Sequence, residues 1–135
     1  MTKRRRKEHG QSLTEAAIAL PLIVLVLMGI INMGVYGLVG MNASNAANYG
    51  ARRASVAQTN VQAKALSYTE ARLAQVSIGT YEVTVSGGGG RGELIQIVVH
   101  YSIPNYFGGL MALFHPSPHM IWDGYTVSYF RQEGW

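Results

Sequence analysis

The stretch that decides the fold is His9-Gly10-Gln11-Ser12-Leu13-Thr14-Glu15, followed at residues 16–39 by AAIALPLIVLVLMGIINMGVYGLV. No charged residue interrupts the second part. About 20 apolar residues are enough to cross the hydrocarbon of a bilayer, whereas the apolar core of a secretory signal has only ~7–15. The run therefore predicts a membrane-spanning helix at 16–39 and argues against an ordinary cleaved secretory signal.

The net charge of the chain belongs to its first ten residues. The formal charge is +4, and residues 3–7 (KRRRK) with Glu8 account for all of it. Basic residues before an apolar run hold that end of the segment in the cytoplasm. Because the rest of the chain is neutral overall, the sequence gives no support for a nucleic-acid partner.

Three polar or helix-breaking residues mark the apolar run. Pro21 removes a backbone hydrogen bond and predicts a kink or loosening early in the helix. Asn32 is expected to pair with a neighbouring helix, since its amide lies at membrane depth. Glu15 begins the run, where an ionised carboxylate is unfavourable unless it is paired. It either stays in the headgroup layer or meets a charge supplied by another molecule.

A stripe of small residues continues the helix beyond the membrane, to about Gln58. Such residues recur at helical spacing and allow another helix to approach closely. We expect this small-residue stripe to pack against identical copies of the chain. Its members are Gly40, Ala43, Ala47, Gly50, Ala51 and Ala54.

The remaining sequence predicts a small α+β head at residues 59–135. Thr59-Asn60 is a possible cap for an amphipathic second helix at 61–76. Alternating apolar residues predict strands at 80–86, 94–101 and 125–131, with the glycine-rich segment 86–92 as a hairpin loop and Asp123-Gly124 as a turn. The fold class is therefore α+β, with a long N-terminal helix, a second helix and an antiparallel sheet of about three strands. An apolar segment at 104–120 is too large for the core of so small a sheet and is expected to face a partner.

Few residues offer chemistry. The chain has no cysteine, which excludes disulfides and thiolate sites. The glycine run at 87–90 precedes a strand rather than a helix, so a hairpin loop is favoured over a phosphate site. His115 and His119 are separated by two prolines with no interleaved carboxylate, which favours a loop over a metal site. We predict no catalytic residue, no metal and no cofactor, and hence no enzyme.

Taken together, these features resemble a known family. A Lys/Arg-rich head, Gly10, a polar residue next, glutamate at the fifth position after the glycine and then an unbroken apolar helix resemble the class III signal of type IV pilins and pseudopilins. From about Arg4 to Ala57 the chain is similar to TadE/TadG-like pilins of the tight-adherence (Tad/Flp) system. The early proline and the Asn-Ala-Ala…Gly-Ala-Arg stretch carry the likeness, whereas the segment at 104–120 has no counterpart that we recognise.

The resemblance implies a processing and assembly route. Residues 1–10 would be a leader that prepilin peptidase removes between Gly10 and Gln11. Glu15 would register subunits in the filament, paired with the new amine of a neighbour's Gln11, and Pro21 would be part of the same assembly segment. The helix at 11–58 would anchor the precursor in the inner membrane, N-terminus cytoplasmic, and later form the core of an extracellular adhesive filament.

The implied partners are identical subunits, prepilin peptidase, and the Tad assembly platform with its secretion ATPase. Major pilins of this system are mostly shorter than this chain, so a minor or priming subunit is the first alternative. A single-pass anchored protein whose head binds a partner, without any filament, is the second.

Overall fold

A computed structural model describes residues 3–112, 117 and 121–133, and the side chains of 3–11 and 110 lie outside that description. The element order is α1 (Lys3–Ser55), α2 (Val61–Leu73), β1 (Thr80–Gly87), β2 (Leu94–Pro104), α3 (Gly108–Met111) and β3 (Ile121–Arg131). This order confirms the predicted α+β class, with a long N-terminal helix and three antiparallel strands.

The first helix differs from its predicted bounds at both ends. It begins at Lys3 rather than at residue 11, and ends at Ser55 rather than near Gln58. At 1.5 Å per residue its 53 residues extend over about 80 Å. The helix continues through Pro21. Arg52 and Arg53 occupy its last turn, where positive charge is favourable beside the carboxyl end of the helix dipole.

The second helix begins at the residue that the sequence predicted and ends three residues earlier, at Leu73. Asn60 takes the N-cap position in a left-handed conformation (φ 53°), without a side-chain capping bond. Its backbone carbonyl instead accepts the N–H of Lys64 at 2.9 Å. Val61, Ala65, Thr69 and Leu73 form the buried face, at the 3–4-residue spacing of a helix packed on one side.

The sheet has the order β1-β2-β3, antiparallel throughout. The central strand buries Ile95, Ile97 and Val99 completely, on the face that the alternation predicted. The glycine-rich segment joins β1 to β2 as a hairpin, again as predicted. Gly87 and Gly88 have φ values of 76° and 73°, which side chains other than glycine rarely adopt.

The third strand corrects the predicted start at residue 125 and the predicted turn at Asp123-Gly124. It begins at Ile121, so that Asp123 and Gly124 pair with Ser102 and Tyr101 inside the strand instead of forming a turn. Tyr125 and Tyr129 lie on the outer face, 74% and 59% exposed, while Ser128 faces inward. A turn dipeptide fits within a strand here because Gly124 leaves room for the hydroxyls of two tyrosines, described below.

The core lies between the second half of α1, the buried face of α2 and the inner face of the sheet. Alanines from α1 supply much of it, together with the three central residues of β2. The chain beyond β3 closes this core at the end of α1, where the N–H of Glu133 donates to the carbonyl of Ser55 at 2.8 Å. The head is therefore held along α1 from about Asn32 to Ser55.

Candidate membrane and assembly site

The first half of α1 extends beyond the head, and its apolar part, residues 12–31, is called the rod below. The helical segment Ser12–Ser55 is long and apolar enough to cross a membrane, and the mean hydropathy of its most apolar 18 residues is 2.5. The exposed large apolar side chains before Asn32 are Leu13, Ile18, Leu20, Leu22, Ile23, Val26, Leu27, Ile30 and Ile31. Such a surface fits a membrane anchor, because exposure of this much apolar area to water is strongly unfavourable.

The predicted assembly residues lie on the rod or directly before it. Gly10 and Gln11 are part of the helical backbone, and Glu15 and Pro21 are exposed on the helix surface. Gln11 and Glu15 are one helical turn apart, at the i, i+4 spacing that puts two positions on one face. The chain's own fold therefore leaves Glu15 accessible to another molecule.

The small-residue stripe is used differently from the prediction. Ala43, Ala47, Ala51 and Ala54 are completely buried, and Gly50 is buried with them. Gly50 lies against Ala65 and Thr69 of α2, and Gly40 lies against the Tyr101 side chain. The stripe does bring a helix close, but that helix is α2 of the same chain. The structure thus corrects the assignment of this surface to contact with identical copies.

Two asparagines join the rod to the head. The Nδ2 of Asn32 donates to Oδ1 of Asn105 at 2.8 Å, and the N–H of Phe107 donates to the same oxygen at 3.2 Å. Asn32 is 3% exposed, and its Oδ1 has no hydrogen-bond partner among the described residues. The sequence predicted a neighbouring helix as the partner of Asn32; the structure instead supplies a loop of the same chain, 73 residues away.

Replacing Asn105 should destabilise the head more than replacing Asn32. Asn105→Ala leaves the buried Asn32 amide with neither end paired, a loss of about 1–3 kcal/mol. Asn32→Leu removes an amide that already has an unpaired oxygen, while Asn105 keeps the Phe107 N–H. Thermal unfolding of the full chain in detergent, followed by near-ultraviolet circular dichroism, compares them. Equal loss in both variants would contradict this account of the pair.

An aromatic cluster extends the same joint. The Tyr36 hydroxyl donates to the Asp123 carbonyl at 3.0 Å, and the Tyr36 ring lies 5.5 Å from Tyr101 and 6.0 Å from Trp122, between ring centroids. A Cβ on Gly124 would meet the Tyr101 hydroxyl at 2.7 Å, so glycine is needed there. The hydrogen bond with Tyr36, reinforced by burial, raises the pKa of Tyr101 to about 12.

This raised pKa predicts how the joint responds to alkali. Because Tyr101 ionises at a higher pH in the folded chain than its ordinary value of 10.0, its contribution to stability is complete below pH 10 and is lost as pH rises through about 12. In Tyr36→Phe the main cause of the shift is gone. Ultraviolet absorbance titration should therefore show the last-ionising tyrosine moving towards 10. An unchanged titration would exclude the Tyr36 bond as the cause.

An apolar groove opens beside the joint, between the rod and the 105–111 segment. Its volume is about 550 Å³. One wall is the helix surface between Leu25 and Met33, and the other carries Phe107, Met111 and Trp122. The groove includes part of the 104–120 segment for which the sequence predicted a partner. Three apolar residues of that segment are outside the description: the side chain of Leu110 and the whole of Leu113 and Phe114.

Other candidate chemistry is sparse. His100 Nε2 lies 3.5 Å from Asp123 Oδ2, both on the exposed face of the sheet. Within residues 3–112, 117 and 121–133, no group of three or more His, Cys, Asp or Glu side chains is placed to hold a metal. His115 and His119, the histidines considered from the sequence, lie outside the described residues.

Comparison with protein families gives a match to part of α1. Residues 10–52 match the family model of TadE-like protein. The matched segment begins at Gly10 and covers the rod, the Asn32 position and most of the small-residue stripe. No curated protein and no solved structure matches the chain.

Proposed function

Residues 10–52 are TadE-like, and from this premise we propose that the protein is a structural subunit of a Tad-type pilus. The observation that carries the proposal is the coincidence of this match with a helix whose first half is apolar and exposed. TadE-like proteins are structural and pilus-associated, so the match favours assembly over catalysis. The rod serves as membrane anchor first and as filament core afterwards.

The proposed mechanism begins with processing. Prepilin peptidase cleaves between Gly10 and Gln11, which removes the basic residues at 3–7 and with them the whole net charge. That step has a physical consequence, because basic residues hold the end of the rod at the cytoplasmic surface. Once they are gone, the rod can leave the inner membrane under the action of the assembly platform and its ATPase.

Assembly then transfers the rod from lipid to other rods. The exposed apolar side chains keep an apolar environment throughout, so that transfer need not expose them to water. Burial of the ionised Glu15 carboxylate among the rods is favourable only when the α-amino group of a neighbour's Gln11 pairs with it. The alanines of the small-residue stripe take no part in these contacts, because the head already covers them.

A block of processing tests the proposal. We expect Gly10→Ala to retain the full-length chain in the inner membrane and to remove it from sheared surface filaments, whereas Gly37→Ala, in open space on the same helix, should be processed normally. Immunoblots of membrane and sheared fractions measure both. Normal release of the Gly10→Ala chain into filaments would contradict the proposal.

The size of the head is the observation that favours a second candidate function, that of a minor or priming subunit. The described residues between 59 and 133 form a unit of α2 and the sheet that packs on α1. Because major pilins of this system are mostly shorter, the additional head favours a minor or priming subunit. Counting copies of the chain per filament by quantitative mass spectrometry separates a major from a minor subunit. A chain that remains in the membrane and binds a partner through its head, without entering filaments, would instead support a single-pass anchored protein.

A further inference from the structure

The groove between the rod and the head lies within the length of α1 that the bilayer would occupy. We propose that it holds an acyl chain of the leaflet on the head's side, so that the 104–112 segment and Trp122 are immersed in that leaflet. This inference rests on the proposed membrane-anchored precursor. It adds a lipid contact made by the head to the anchorage made by the helix.

The depth follows from the geometry of the helix. Hydrocarbon about 30 Å thick accommodates about 20 helical residues at 1.5 Å each. Counted from Glu15, which is held at the cytoplasmic boundary by its charge, this span ends near Val35. The head, however, already contacts the helix at Asn32, and the groove reaches back to Leu25. The part of the head that lines the groove therefore lies beside the last several residues of the membrane-spanning helix.

The composition of the groove selects hydrocarbon over a lipid headgroup. Its described lining residues include no charged side chain, and the two asparagines that line it are bonded to each other. A phosphate headgroup would require Lys or Arg, whereas an acyl chain requires only apolar walls. Met28, Met33 and Met111 give these walls flexible side chains that adapt to a flexible chain.

The edge of the groove has the composition of a membrane interface. Trp122 lines the groove and is partly exposed, while Tyr106 is 58% exposed on the adjoining segment. Trp and Tyr favour the boundary between hydrocarbon and headgroups, where the ring is in lipid and the polar group is near water. Ile121 and Met111, 63% and 43% exposed, add apolar surface beside them. If this part of the head lay outside the bilayer, all of this apolar surface would be exposed to water.

Single-tryptophan variants of the chain allow a direct test. Trp135→Phe leaves Trp122 as the single fluorophore. A control carries Tyr129→Trp with both native tryptophans replaced by Phe, because Tyr129 is exposed near the end of β3 that lies opposite Trp122 along the strand. A third protein carries Ile23→Trp with both native tryptophans replaced by Phe, and reports on the rod alone. Each full-length chain is reconstituted at high lipid excess in phosphatidylethanolamine–phosphatidylglycerol vesicles with brominated or unbrominated acyl chains.

We expect bromination to quench the fluorescence of Trp122, as for a tryptophan at the hydrocarbon boundary, and to leave the fluorescence of the tryptophan at position 129 unchanged. Quenching at position 23 without quenching of Trp122 would overturn the inference and leave the membrane anchor intact; a second copy of α1 would then be the occupant to seek by cross-linking. An unquenched position 23 would overturn the anchor itself, and the inference with it.

Discussion

Glu15→Ala leaves the chain inserted in the inner membrane and abolishes its incorporation into filaments. Insertion depends on the apolar run, which the change makes longer by one residue, so the anchor is preserved. In the proposed filament, by contrast, the amine of a neighbour's Gln11 loses its partner. An ion left buried without its partner destabilises an assembly by about 3–5 kcal/mol at each contact. Because this free-energy cost recurs at every subunit contact, we expect the filament not to assemble at all rather than to be merely less stable.

Two further variants make this prediction specific. Glu15→Gln keeps the size of the side chain and its hydrogen-bonding oxygen but not the charge, and it should fail in the same way. Glu70→Ala makes the alanine replacement at an exposed position on α2 and should assemble normally. Carbonate extraction of membranes measures insertion, and blotting of sheared material measures assembly. Wild-type amounts of the Glu15→Ala chain in filaments would favour a single-pass anchored protein over a pilus subunit.

Gly50→Ala should be the most damaging small substitution in the head. A Cβ at this position would clash with the Thr69 hydroxyl and lie 3.0 Å from the Ala65 carbonyl, which belongs to the backbone of α2 and cannot rotate away. The two helices must therefore separate. Overpacking of this kind typically destabilises by about 1–3 kcal/mol, which lowers the melting temperature of a domain of this size by about 5–20 °C.

The chain offers matched controls for this substitution. Gly37→Ala, on the same helix with nothing within 4 Å, should be neutral or stabilise by up to about 1 kcal/mol through helix propensity. Gly50→Ala combined with Thr69→Ala should recover part of the loss, because the nearest clash is removed. Thermal unfolding in detergent, followed by near-ultraviolet circular dichroism, compares them. Equal stability of the two glycine variants would show that α1 and α2 do not pack as described.

The elements that the sequence predicted well are those in which the pattern of apolar residues depends only on whether each face of the element is buried or exposed. Among the described residues most of the rod is exposed, in keeping with its apolar run, and β2 alternates because one of its faces is buried in the core and the other is not. Local patterns of this kind are independent of distant contacts. The fold class, the hairpin and the start of α2 at Val61 followed from them.

Predictions failed where the same local pattern suits more than one partner. Small residues admit any helix, so the stripe could not reveal that α2, rather than another copy, packs against Gly50. The amide of Asn32 needs a partner, but only the tertiary fold brings Asn105 to it. Asp123-Gly124 is a common turn dipeptide, and its place inside β3 depends on tyrosines from α1 and β2.

The outer face of β3 illustrates a further limit. The alternation puts Tyr125, Val127 and Tyr129 on one face of the strand but does not say whether that face is covered. In the structure the other face is turned inward with Ser128 and Phe130, and the Ser128 hydroxyl donates to Asn48 at 2.8 Å. Period-2 alternation identifies the residues that share a face, whereas the rest of the fold decides which face is buried.

The central claim is that this chain enters filaments as a processed subunit, and the N-terminus of the surface-exposed protein tests it most directly. Filaments are sheared from cells, and the amino-terminal peptide of this chain is determined by mass spectrometry. The account predicts a chain that begins at Gln11, without residues 1–10. A chain that begins near Met1, or at a site beyond the apolar run at 16–39, would contradict it.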